Sequence, residues 1–222
     1  MSIHSRSVNP APASANASLY TRAFRRKVHR LILMGYQRLD APAFRGWDEP
    51  NISGELVRAM REALEAAEAP EWASRYAIHD DPPQHAKDRF GNARKRFDIA
   101  LEATQPGRHA WFKFEAKRLR NGSSVEKYLG PSGLGCFLSG DYASECPMAG
   151  MLGYVQADSE GAWAGRIEAR LGQSPAKYAL RSDASWTKVR LVPGLEHAYE
   201  TRHDRRDPLP SINISHILLL FC

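Results

Sequence analysis

Residues 94–120, RKRFDIALEATQPGRHAWFKFEAKRLR, constrain the fold more than any other stretch of this chain. Two apolar runs flank a Pro106-Gly107 turn, and alternation along each run sorts its side chains into two faces. Phe97, Ile99 and Leu101 share one face of the first run; Phe112, Phe114 and Ala116 share one face of the second. That periodicity predicts a β-hairpin with a buried side. The opposite faces carry Asp98, Ala100 and Glu102, then Trp111, Lys113, Glu115 and Lys117. A turn centred between Pro106 and Gly107 pairs Ala103 with Ala110. The same register sets Asp98 opposite Glu115, with Lys117 two residues further along that face; a slip of one residue would undo the arrangement.

Directly opposed side chains lie about 4.5–5.5 Å apart at Cβ. Two ionised, half-buried carboxylates at ~4 Å repel by about 4 kcal/mol at an effective dielectric near 20. Lys117 offsets part of that. A divalent cation offsets more, since Mg²⁺ takes carboxylate oxygens and keeps several waters. The bland alternative is a polar sheet face with diagonal Asp–Lys pairs. Glu-x-Lys alone is a weak motif in a chain with this many Glu and Lys residues; the joint pattern of an acid in one strand and Glu-Ala-Lys closing the next is stronger.

The rest of the chain frames this hairpin. Residues 1–17 have almost no large apolar side chains and read as a disordered tail, leaving 18–222 as one domain. The first 39 residues contain no Asp or Glu; an organelle transit peptide has that composition, but the apolar stripe Phe24, Val28, Leu31 and Ile32 favours an ordinary basic helix over roughly 19–38, capped by Ser18. Ser53 fits the N-cap of a second helix, GELVRAMREALEAAEA, that Pro70 stops. RYAIHD reads as a short strand. The Gly-rich 121–150 segment reads as short helices and loops, AGMLGYVQA as a buried helix or strand, and GAWAGRIEARLG as an amphipathic helix. KVRLV and SINISHILLLF read as strands with a basic loop or hairpin over 199–210 between them, so that 186–222 supplies C-terminal strands. The class is mixed α/β. His216 reads as a hydrogen-bonded core histidine, and Trp72, Trp111, Trp163 and Trp186 as core anchors.

The formal net charge of +6 favours a polyanionic partner, nucleic acid ahead of a membrane surface. Arg25 and Arg26 in the first helix, Arg118 and Arg120 after the hairpin, and Arg205 and Arg206 in TRHDRRDP are the candidate phosphate contacts. No apolar run reaches the ~20 residues a membrane helix needs. Cys136, Cys146 and Cys222 form no CxxC pair, which fits a reducing cytoplasm. No HExxH spacing and no Walker-type loop occur, so a zinc protease and a P-loop NTPase are disfavoured.

Asp98 in RFDIAL and Glu115-Ala116-Lys117 in FKFEAKRL resemble the signature of the PD-(D/E)xK nuclease superfamily, whose restriction-endonuclease-like fold is a mixed sheet flanked by helices in the order αβββαβ. The resemblance covers residues 48 to about 165; the Pro of the signature is replaced by Phe97. It implies hydrolysis of a phosphodiester, most often in DNA with RNA as the alternative, with Asp98 and Glu115 holding Mg²⁺ or Mn²⁺ and Lys117 positioning water. A Glu from the first core helix completes the family's metal shell. Here that is Glu55 in SGELVRAM, with Glu49 as the alternative at the helix start. The 128–155 segment looks like a region beside such cores in bacterial nucleases of anti-phage defence. With no separate recognition or ATPase domain, a free nuclease of this size would endanger its host, which points to a regulatory protein partner; the oligomeric state stays open. The competing function is a catalytically silent nucleic-acid-binding or scaffolding subunit on the same fold.

Overall fold

A computed structural model describes residues 20–83, 96–105 and 108–222. The tail expected over 1–17, the Ser18 cap and the Pro106-Gly107 turn lie outside the described residues.

Helix α1 (Arg22–Tyr36) starts later than the composition predicts, because Thr21, not an earlier residue, accepts from the Phe24 amide. Phe24, Val28, Leu31 and Ile32 are buried, as their spacing requires. Helix α2 (Glu49–Glu65) corrects the sequence reading at its start. Asp48 is the N-cap, its side chain accepting from Asn51 N, and Pro50 lies in the first turn, where its missing N–H costs nothing. Ser53 is therefore inside the helix and buried, hydrogen-bonded to the Tyr154 hydroxyl at 2.8 Å. The helix also ends at Glu65, short of Pro70.

Strands β1 (Tyr76–Asp80), β2 (Ile99–Gln105) and β3 (Arg108–Leu119) form an antiparallel meander. Its register pairs Ala103 with Ala110 and Ile99 with Phe114. Two short helices, α3 (Ser124–Leu129) and α4 (Leu134–Leu138), lead into β4 (Met148–Val155), parallel to β3. Helix α5 (Glu160–Gln173) follows, then β5 (Thr187–Lys188), β6 (Ala198–His203) and β7 (Ile212–Leu220). One seven-stranded mixed sheet results, in the order β1-β2-β3-β4-β7-β6-β5. KVRLV gives only the two-residue β5, and the basic stretch after Glu196 contains a real strand, β6, because Tyr199, Thr201 and His203 are buried at strand spacing.

Alternation along the central strands creates two cores. Phe112, Phe114, Leu152, Tyr154, Ile217 and Leu219 pack with α1 and α2. Met151, Val155, Ile214 and Leu218 face the other way, against α3, α4 and α5. All eight residues of β4 are buried, as a central strand covered on both faces demands. Trp163 is a fully buried anchor. His216 is fully buried too, bonded to Tyr128 Oη at 3.0 Å and Thr201 Oγ1 at 2.8 Å. The three cysteines form no disulfide with one another. Among the described residues no helix is long and apolar enough to cross a membrane.

Candidate metal centre

Strand β3 has twelve residues and outruns β2, whose ladder with it begins at the Ile99–Phe114 pair. Asp98 sits one residue before that pair, at the rung that Glu115 continues. Its carboxylate finishes what the shorter strand leaves undone, as Oδ2 accepts from Ala116 N at 2.6 Å. Glu49 arrives from the opposite side on the first turn of α2. Carboxylate oxygens of Glu49, Asp98 and Glu115 all lie within 4.8 Å of one another.

Lys117 stands among them. Its ammonium has three donors and meets three acceptors: Glu49 Oε1 at 2.7 Å, Glu115 Oε1 at 2.7 Å and the Ala116 carbonyl at 2.6 Å. Glu49 is fixed further by Arg118 N, which donates to its Oε2 at 3.1 Å. The loop ahead of α2 is braced by Gln156, just past β4, whose Nε2 donates to the carbonyls of Phe44 (2.9 Å) and Trp47 (2.8 Å).

Three carboxylates against one ammonium leave an excess of negative charge in a nearly dry place; Glu115 is 7% and Lys117 9% exposed. Burial, opposed by the Ala116 hydrogen bond and the Lys117 charge, pushes the Asp98 carboxyl up to about 6. Burial and then the charge of Asp98 push Glu115 up to about 8. For Lys117 burial works downward, but the charges of Glu115 and Glu49 more than offset it and hold the ammonium above the ordinary lysine range. Glu115 above all is pushed toward its neutral form, which a cation among these oxygens would reverse. Its donors are all hard carboxylate oxygens, which suit Mg²⁺ or Mn²⁺ rather than a thiolate-seeking metal.

Asp98, Glu115 and Lys117 are brought together as the hairpin register predicts. Glu55 is not with them. It lies on the outer face of α2, paired with Arg58 at 2.6 Å, and Glu49 takes the helix position instead. The Ser53 cap hid this: once Asp48 caps the helix, Glu49 is its first residue, reaching Lys117 and Arg118 at the end of β3. The signal available in the sequence was Asp48-Glu49-Pro50, an N-cap residue two places before a first-turn proline.

The basic residues divide. Arg118 and Arg120 line a cleft of about 310 Å³ that opens from Glu49 and Lys117. Arg26 and Arg206 are exposed, and Arg26 lines a separate cleft with Trp72. Arg25 is not a phosphate contact in this arrangement, because it is partly buried in an ion pair with Glu200. Arg205 is buried, donating to the carbonyls of Pro210, Ala143, Ser144 and Cys146; it ties the 143–146 loop to the segment before β7. The chain matches no family model, no curated protein and no solved structure.

Proposed function

We propose that the Glu49–Asp98–Glu115–Lys117 cluster is the centre of a metal-dependent nuclease that hydrolyses phosphodiester bonds in DNA. The observation that carries the reading is the convergence of three carboxylates within 4.8 Å on one lysine, with two of the acids pushed toward their neutral forms. A stable fold has little reason to assemble that repulsion, and catalytic sites tolerate it. The element order α2-β1-β2-β3-α3-α4-β4, with the first acid entering β2 and Glu-Ala-Lys closing β3, supports the PD-(D/E)xK resemblance and its restriction-endonuclease-like fold.

Glu49, Asp98 and Glu115 would hold Mg²⁺ or Mn²⁺. When bound, such an ion supplies a more acidic water and draws charge from a phosphate oxygen. Lys117 would keep a proton donor beside a phosphate brought to the cluster and would offset the charge that develops there. Asp98 keeps its orientation through Ala116 N, and Glu49 keeps its own through Arg118 N.

Plasmid cleavage in Mg²⁺ tests this. Wild type cuts and EDTA stops it. Lys117→Ala and Glu49→Ala each lose about 100-fold or more in rate, while Glu55→Ala cuts like wild type. Equal cutting by wild type and Lys117→Ala would remove the cluster from the chemistry. Wild type that binds DNA with a steep salt dependence and never cuts would favour the silent binding subunit.

A further inference from the structure

The cleft beside the cluster does not end at Arg120. A second cleft of about 510 Å³ is lined by Arg120 and Asn121 together with Trp163, Arg166 and Arg170. Arg120 and Asn121 line both, so the two clefts adjoin there, and together they extend from the end of β3, past the start of α3, to α5. Lys127 on α3 lines the first cleft, and neither its ammonium nor the Arg120 guanidinium has an ion-pair partner among the described residues.

Arg166 and Arg170 are one turn apart on α5 and present their guanidinium groups to the same cleft. Each rests against an acid: Arg166 on Asp158 at 2.7 Å and Arg170 on Glu126 at 2.7 Å. All four of these side chains are 40–57% exposed, and exposed pairs of this kind contribute little. Exchanging a carboxylate for a phosphate therefore costs little, and the planar fork of arginine suits a phosphate bidentately. Arg166 is also positioned over the buried Trp163 ring at 4.5 Å, which supports its guanidinium from beneath.

We propose that this channel carries the sugar-phosphate backbone of a polynucleotide away from the acidic cluster, with Arg120 and Lys127 as near contacts and Arg166 and Arg170 as the distal ones. The inference rests on the phosphodiesterase reading and adds a substrate class: a chain long enough to reach α5, since a mononucleotide or dinucleotide leaves the distal pair unused. Polyanion binding of this type weakens linearly on a log scale with salt, by about 0.7 per phosphate contact for a single strand.

The test is fluorescence anisotropy with a labelled single-stranded oligodeoxynucleotide of about 16 nucleotides, in Ca²⁺, between about 50 and 200 mM NaCl. Arg166→Ala/Arg170→Ala is expected to bind about tenfold more weakly, with a salt slope lower by about 1.4. Arg166→Lys/Arg170→Lys recovers most of the slope. Arg181→Ala removes a paired surface arginine outside both clefts and matches wild type. Thermal unfolding confirms that the exposed substitutions leave the fold intact. An Arg166→Ala/Arg170→Ala protein with the slope and affinity of Arg181→Ala overturns the channel, as does wild type that fails to bind. The two readings fail separately: binding with no Mg²⁺-dependent cleavage counts against the phosphodiesterase, and an unchanged slope in a protein that cleaves counts against the channel.

Discussion

Replacing Glu115 by Gln should stabilise the metal-free protein at pH 8.5 and leave it almost unchanged at pH 5. In the folded chain burial, and then the charge of Asp98, push the Glu115 carboxyl from 4.5 up to about 8. At about 1.36 kcal/mol per pH unit, ionising it in place costs about 4–5 kcal/mol more than ionising it in the unfolded chain. The folded state therefore binds this proton more tightly than the unfolded one. The stability it confers is complete below about 4.5 and is lost as pH rises through about 8. Gln keeps the shape and an acceptor for Lys117 but has no proton to lose. The attraction of the ionised form to Lys117 is already contained in the value of about 8, so the net gain at pH 8.5 is about 4 kcal/mol. For a chain of this length that raises Tm by about 8–16 °C. Urea unfolding in EDTA at the two pH values measures it. A variant less stable than wild type at pH 8.5 would refute the reasoning, because it would mean that ionised Glu115 and Lys117 form a net stabilising buried pair. A gain already present in full at pH 5 would refute it too, since the proton would then not be the cause.

Thr201→Val keeps the shape of a 2%-exposed residue but removes the hydroxyl between His203 Nε2 (2.7 Å) and His216 Nε2 (2.8 Å); chemical denaturation should show a loss of about 1–3 kcal/mol. Gly150→Ala places a Cβ 2.2 Å from the Phe114 ring on the face that packs against α2, and the overpacking should cost about 1–3 kcal/mol, read as a lower midpoint in urea. Arg205→Ala leaves four carbonyls without their donor and should lower stability by about 3 kcal/mol, while the salt slope of DNA binding stays at the wild-type value; a reduced slope would return Arg205 to the phosphate contacts.

Much of the sheet was readable because its rules are local. Period-two alternation exposed the two faces of the hairpin, and the Ala103–Ala110 pairing expected from the sequence is the one the ladder has, so Asp98, Glu115 and Lys117 fall together. The errors arose where two local signals compete or where the partner is distant in sequence. Ser53 and Asp48 are both good N-caps; the winner is decided by the first-turn proline and by Tyr154, a hundred residues away, which takes the Ser53 hydroxyl. Strand β6 was hidden in a charged stretch because the burial that makes it a strand comes from β7, not from its own composition. Arg25 and Arg205 look alike in sequence to Arg120. Only packing shows that one faces Glu200, one faces four carbonyls and one lines an open cleft.

By itself, then, the sequence determined that a mixed α/β chain carries two acids on one rung of a hairpin with a lysine beside them on the same face, since strand geometry repeats every two residues whatever surrounds it. The tertiary structure decided which helix carboxylate joins them, and which arginines are spent on the fold. Those choices depend on where α2 begins relative to the end of β3 and on which charges find a partner, and both are set by contacts between segments far apart in the chain.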